Sequence, residues 1–214
     1  PDGYFESQPS VTDDFEAIGT VDYIFLTVKA HSLPDIAPKL APLMGQNTSL
    51  LPAQNGIPWW YFQQHGGPWD GRRLESLDPL GVLSDAIPTE RIIGCVVYPS
   101  TVLVKPGVIK HIEGDRFAIG ELDGSTTERC RQLAATLIES GLRGPIRSRI
   151  RHDLWVKLLG NVAFNPMSAL TGATLAEITT HSEAAELVRE IMIEADSVAQ
   201  SLGVKIPIYI DQRM

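Results

Sequence analysis

Three polar residues interrupt an otherwise apolar stretch, Leu154-Trp155-Val156-Lys157-Leu158-Leu159-Gly160-Asn161-Val162-Ala163-Phe164-Asn165. Lys157, Asn161 and Asn165 stand at i, i+4 and i+8. On a 3.6-residue helix they drift by only about 40° per step, so they form one stripe. A helix that is apolar almost all round is buried between elements. A lysine there is costly unless its head reaches water, a charge or a ligand. An ammonium in line with two amides resembles the lip of a polar cleft. The plainer alternative, with Lys157 extended to solvent and the asparagines bonded to neighbouring helices, has equal weight on spacing alone. Pro166 follows at once and cannot donate to the helix ladder, so the helix is expected to kink or end at Asn165.

A second group lies upstream. Asp22-Tyr-Ile-Phe-Leu-Thr-Val28 is a nearly continuous β-rich run, the pattern of a strand covered on both faces in a parallel sheet, and Lys29 closes it. Ser32 is placed to cap a helix carrying Leu33, Ile36, Ala37, Leu40 and Leu43, shortened or kinked by Pro38. Thr48 to Ala53 reads as the next strand, followed by the turn Gln54-Asn55-Gly56. Strand, helix and strand make a right-handed βαβ unit, and ligands of open α/β sheets bind at the carboxyl edge of the strands. Lys29 and the Asn55 turn are expected on that edge. Taken singly, Lys29 can simply return the chain to water, and Asn-Gly can be only a turn.

The remaining elements frame these residues. Gly66 to Pro88 is expected to be a surface loop with short helical pieces. Arg91 to Val97, Thr101 to Val104, Val108 to Ile112 and Arg116 to Glu121 read as strands, several of them pairing as an antiparallel extension of the sheet. Ser125-Thr-Thr-Glu128 reads as a capping box for a helix that buries Cys130, Leu133, Ala134, Leu137 and Ile138 and stops at Gly141. Beyond Arg147 the pattern is helical, with a second capping box at Thr180-His-Ser-Glu183 and a buried face through Leu187, Val188, Ile191, Ala195, Val198 and Leu202. The expected domains are therefore 1–147 and 148–214.

Composition removes several classes of function. Eighteen Lys+Arg against 26 Asp+Glu give a net charge of -8 over 214 residues, which repels a polyphosphate, so no nucleic-acid partner is expected. Cys95 and Cys130 stand 35 apart with no C-x-x-C, and the five histidines lack metal-ligand spacing, so no metal is expected. No apolar run approaches the roughly 20 residues of a membrane helix, and a cytoplasmic setting fits the cysteine usage. No G-x-S-x-G elbow and no Walker-type phosphate loop occurs. The start, Pro1-Asp2-Gly3-Tyr4, reads as a turn in mid-fold, and the chain is expected to be a fragment.

The pieces Asp22-Tyr-Ile-Phe-Leu-Thr-Val-Lys29-Ala30, Gln54-Asn55-Gly56-Ile57, Pro106-Gly107 to His111, Ile119-Gly120-Glu121 and Trp155-x-Lys157-Leu-x-x-Asn161-x-x-x-Asn165-Pro166 resemble, in the same order, the 2-dehydropantoate 2-reductases, or ketopantoate reductases. The resemblance implies an α/β fold. A partial Rossmann-type NADP-binding domain is followed by an all-helical substrate domain of the 6-phosphogluconate-dehydrogenase-like C-terminal arrangement. It implies NADPH-dependent reduction of ketopantoate to pantoate on the route to pantothenate. By matching position Lys157 resembles the general acid, Asn161 and Asn165 the amides that orient substrate, and Asn55 the residue at the nicotinamide ribose and substrate. Lys29 resembles a cofactor contact, and Asn55 and Gly56 are cofactor-binding positions by the same match. A small 2-keto acid and NADP(H) are the implied ligands, and a homodimer is compatible.

The chain departs from the family at both ends. No two glycines are separated by one residue, so G-x-G-x-x-G is absent, and the chain stops at Met214, before the downstream serine and glutamate by which the family binds substrate. The chain alone is therefore expected to be inactive. Two alternatives stand beside the reductase reading: a reductase of another small 2-keto acid, with the Trp59-Trp60-Tyr61 to Asp78-Pro79 segment reshaping the site, and a non-catalytic binding or assembly module that kept the fold.

Overall fold

The computed structural model describes residues 6–207 and 210–212, so the Pro-Asp-Gly start lies outside the described residues. A short helix, α1 (Phe15–Ile18), opens the described chain, capped by Asp14, whose Oδ1 accepts from the amides of Glu16 and Ala17. Strand β1 (Val21–Leu26) follows. A 3₁₀ turn (Ala30–Ser32), helix α2 (Leu33–Ile36) and a 3₁₀ run (Ala37–Leu43) then cross over to strand β2 (Met44–Pro52), which pairs with β1 in parallel. The crossover keeps the expected stripe, burying Leu33, Ala37, Leu40 and Leu43, but not the expected helix type. Pro34, Pro38 and Pro42 each remove a ladder donor, and the chain tightens into 3₁₀ turns around them. Ser32 already sits in a helical turn and makes no side-chain cap.

Strand β1 is not covered on both faces. Ile24 and Leu26 are buried, whereas Asp22 and Thr27 are exposed and Phe25 is 44% exposed. Among the described residues β1 pairs with β2 alone, so its other edge and half of its face lack the layer that a continuous apolar run anticipates.

After turns over residues 58–78, helix α3 (Val82–Ala86) starts from Gly81, and buried Asp78 accepts from the amides of Leu83 and Ser84 in its first turn. Trp59, Trp60, Tyr61 and Phe62 are buried, and a Cβ on Gly94 would stand 3.1 Å from the Trp60 ring. Strand β3 (Ile93–Val97) continues the sheet through a parallel bridge of Leu50 with Ile92. Strands β4 (Ser100–Lys105) and β5 (Val108–Glu113) form a hairpin around Pro106-Gly107, and β6 (Phe117–Glu121) returns antiparallel to β3.

The hairpin does not extend the sheet as expected. Among the described residues it is a ladder of its own, and every residue of both strands is exposed. Its apolar residues run consecutively through Val102, Leu103 and Val104 rather than alternating, so neither face is specified for a core. Its base is firm: Gly114 packs so closely that a Cβ would stand 2.8 Å from the Tyr98 carbonyl, and the Arg116 guanidinium lies 3.7 Å from the Tyr98 ring centroid.

Helix α4 (Glu128–Glu139) covers the sheet, burying Cys130, Leu133, Ala134 and Leu137 against Leu51, Ile93, Cys95 and Ile119. Its cap is Thr127, whose Oγ1 accepts from the Cys130 amide, rather than Ser125, which is held in a turn by Asp123. The chain next runs beside β6, where Ile119 N donates to Pro145 O at 3.0 Å and Arg147 N to Ile119 O at 2.7 Å.

Helix α5 (Ile150–Thr171), α6 (Leu175–Thr180) and α7 (Ser182–Ser201) complete the chain with a 3₁₀ turn at Ile210–Gln212. Helix α5 runs through Pro166 instead of ending at Asn165. The proline φ suits a helix, and the lost bond is one of many in a long element. The capping box lies at Thr174/Glu177 before α6, not at Thr180/Glu183. Thr180 sits in the last turn of α6 with its hydroxyl donating back to the Ala176 carbonyl, leaving His181 as the uncapped start of α7. Leu159, Ala163, Ile178, Val188 and Met192 form the helical core.

Two units result. One runs to Gln54 and resumes over Pro58–Ile150; the other takes Asn55–Ile57 and continues from Arg151.

Candidate active site

Helix α5 presents its stripe because of what the opposite face buries. Leu159 and Ala163, two residues beyond Lys157 and Asn161, are fully buried in the helical core. A two-residue step is about 200° on a helix, so the polar stripe faces away from that core. Exposure rises along it: Lys157 and Asn161 are half-buried and Asn165 is exposed.

Lys157 Nζ donates to Asn55 Oδ1 at 2.6 Å, a contact between residues 102 apart in the chain and internal to the helical unit. An ammonium has three donors, and the Asn55 amide oxygen accepts from one of them. Asn55 is exposed. Gly56 takes φ +93°, a conformation open to glycine at little cost, and among the described residues nothing beyond its chain neighbours lies within 4 Å of where its Cβ would stand. The structure thus brings Asn55 and Lys157 together, with open space at Gly56.

Lys29 belongs to the sheet unit. It is exposed and extended (φ -65°, ψ 149°), and its carbonyl accepts from Ser32 N at 2.9 Å, fixing the chain as it leaves β1. Just before Asn55, Gln54 Nε2 donates to Leu26 O at 2.6 Å and to Val28 O at 3.0 Å. Sequence reasoning treated Gln54 only as part of a turn. The available signal was a long amide with two N–H groups at a strand end, where carbonyls run out of ladder partners.

A second polar cluster in the sheet unit is structural. Glu121 is buried at the end of β6 and accepts from Arg129 Nε at 2.7 Å, with further bonds to Arg129 Nη2 and the Thr127 hydroxyl. Burial pushes the Glu121 carboxyl up, but the hydrogen bonds from Arg129 and Thr127 more than offset it and hold the group below its ordinary range. Arg129 also donates to Glu90 O at 2.6 Å, so the pair ties α4 to β6 and to the segment before β3. Burial, with the Glu121 charge second, pushes the Cys130 thiol up to about 11, so it stays protonated and serves as core.

The described helices include none long and apolar enough to cross a membrane. An α/β part followed by helices, with a lysine on the long helix joined to an asparagine in the turn after β2, is an arrangement shared by a class of oxidoreductases. Residues 2–66 match the family model for ketopantoate reductase PanE/ApbA, and residues 149–214 match that for the ketopantoate reductase PanE/ApbA C terminal, together more than half of the chain. The 2-dehydropantoate 2-reductase of Mesorhizobium japonicum is 47% identical over 199 residues, covering 93% of this chain and 61% of that protein. Among solved structures, a ketopantoate reductase candidate from Ralstonia solanacearum MolK2 superposes with TM-score 0.90 at 37% identity, over 94% of this chain and 63% of that one. A D-mandelate dehydrogenase solved with NADH and anilino(oxo)acetate shares the fold at TM-score 0.72 and 22% identity, over 90% of this chain and 55% of that one. The chain belongs to the ketopantoate reductase family and spans about three fifths of the length of these relatives.

Proposed function

We propose that this chain carries the central part of an NADPH-dependent 2-dehydropantoate 2-reductase, which reduces ketopantoate to pantoate for pantothenate synthesis. The observation that carries the reading is the 2.6 Å bond from Lys157 to Asn55. It holds an ammonium on the polar stripe of α5 by a neutral amide.

Reduction of a ketone builds negative charge on its oxygen, and a positioned ammonium stabilises and then protonates that oxygen. Lys157 is the general acid in this reading. Asn55 orients it, and Asn161 and Asn165, one and two turns along α5, offer amides to the substrate. Features within each unit suit a nicotinamide dinucleotide: in the sheet unit the exposed Lys29 ammonium follows β1, and in the helical unit the space at Gly56 admits a ligand group beside the Asn55 backbone. When bound, the reduced nicotinamide supplies the hydride. Residues 1–147 form the partial Rossmann-type cofactor domain in this reading and residues 148–214 the substrate domain, in a cytoplasmic enzyme that can pair as a homodimer.

In the enzyme expressed from its complete gene, Lys157→Ala is expected to lower kcat by about 10²- to 10⁴-fold, the worth of a positioned acid, with little change in NADPH affinity. Near-normal turnover would remove Lys157 from the catalytic role. The D-mandelate dehydrogenase on the same fold favours one second reading, a different 2-keto acid as substrate. Relative kcat/KM over a panel of branched, linear and aromatic 2-keto acids separates the two.

A further inference from the structure

We propose that Gln54 is a positioning residue of this site, tying the end of β1 to the start of the Asn55 turn with one side-chain amide. The inference rests on the reductase reading for its catalytic consequence, but the tether is defined by geometry alone.

Both hydrogens of Gln54 Nε2 are committed, at 2.6 Å to the Leu26 carbonyl and 3.0 Å to the Val28 carbonyl. Because both neighbours are carbonyl oxygens, the amide can stand only with its nitrogen toward them. The backbone adds a third link, Ala53 N donating to Leu26 O at 2.9 Å. Val28 is the residue before Lys29, and Gln54 is the residue before Asn55. A single amide therefore fixes the backbone next to both.

Gln54 Oε1 is buried and has no hydrogen-bond partner among the described residues. A buried acceptor left unpaired is unfavourable, so the side chain adopts this pose for its two donations. The chain passes at this point from the sheet unit into the Asn55–Ile57 segment that belongs with the helices. Gln54 is thus the last anchor on the sheet side before the residue that holds Lys157. Without it, the end of β1 is tied to the start of the turn by the Ala53 amide alone, and the backbone leading into Asn55 is less restrained.

Two variants of matched length test this. Gln54→Met removes both donors; Gln54→Glu replaces them with a carboxylate that is repelled by the two carbonyls until it is protonated, when it can donate once. In the 214-residue chain, amide hydrogen exchange at residues 26–30 and 53–57 is expected to speed up about tenfold or more in Gln54→Met, with β3 and β6 unchanged. In Gln54→Glu the loosening should reverse as pH falls through the carboxyl range, once intrinsic exchange rates are corrected for; Gln54→Met should show no such reversal. In the complete enzyme Gln54→Met should lower kcat about tenfold with little change in the keto-acid KM. Unchanged exchange in both segments overturns the tether, and loosened segments with undiminished kcat overturn the positioning role. A wild-type enzyme inactive on every 2-keto acid overturns the reductase reading and the catalytic consequence, while the exchange data still decide the tether.

Discussion

Asn55→Ala removes the acceptor that holds Lys157 and leaves the ammonium in place. A hydrogen bond to a charged group contributes about 1.5–3 kcal/mol, so kcat/KM of the complete enzyme is expected to fall roughly 10- to 100-fold. An unchanged value would show that the 2.6 Å contact has no part in turnover. Glu121 offers a separate test by pH. Its carboxyl is held below its ordinary range in the fold, so its stabilisation is fully present above the unfolded value and is lost as pH falls through the lowered folded value. Glu121→Gln should cost about 3 kcal/mol near pH 7, as breaking a buried ion pair does. The melting-temperature gap to wild type should close as pH drops below the glutamate range, about 4; a gap constant from pH 7 to pH 3 would contradict the assignment. Of the candidate site, the Lys157, Asn161 and Asn165 stripe was legible because helical period puts all three on one face. The Lys157–Asn55 bond was not, because no local pattern records a contact across 102 residues. Gln54 escaped for a related reason, since its partners are backbone carbonyls, which carry no residue type.

Elements were more legible in existence than in their ends. Apolar period located β1, β2, β3, β6, α4, α5 and α7, yet caps moved, by two residues at Ser125 against Thr127 and by six at Thr180 against Thr174. At α4 the winner, Thr127, is the hydroxyl that also reaches Glu121, a tertiary partner. Pro166 was over-weighted because local sterics ignore the length of helix on either side of it. Gly120 shows the converse, a residue whose reason lies entirely in packing. A Cβ there would stand 2.2 Å from the Arg147 carbonyl, where the chain beside β6 is bonded to Ile119. Gly120→Ala must displace that backbone, and a loss of at least about 2 kcal/mol is expected by chemical denaturation. Gly107→Ala in the β4–β5 turn meets no atom within 4 Å but sits at φ +76°, so its cost should be backbone strain alone, about 1 kcal/mol. Equal losses at the two glycines would deny the close contact at Gly120.

At the scale of the molecule, a chain spanning about three fifths of its relatives keeps two cores but presents apolar surface to water. Phe25 stands 44% exposed on β1, and Leu103 and Ile109, cross-strand partners in the hairpin, are 66% and 69% exposed. Such surface, with an unpaired strand edge among the described residues, promotes association between copies. The net charge of -8 opposes it, and salt screens that opposition. The isolated 214-residue chain should therefore self-associate, more at 0.5 M salt than at 0.05 M, and Leu103→Lys with Ile109→Glu should reduce the association without lowering the melting temperature. Cofactor binding belongs to the same test. The sequence has no G-x-G-x-x-G whose amides and helix N-terminus would hold a pyrophosphate, and Lys29 alone offers one exposed, screened charge. NADPH titrated by fluorescence should bind the isolated chain no tighter than millimolar, and light scattering should show species larger than 23.4 kDa. Micromolar binding by a monodisperse monomer would mean that the residues between Lys29 and Gly56 hold the dinucleotide by themselves.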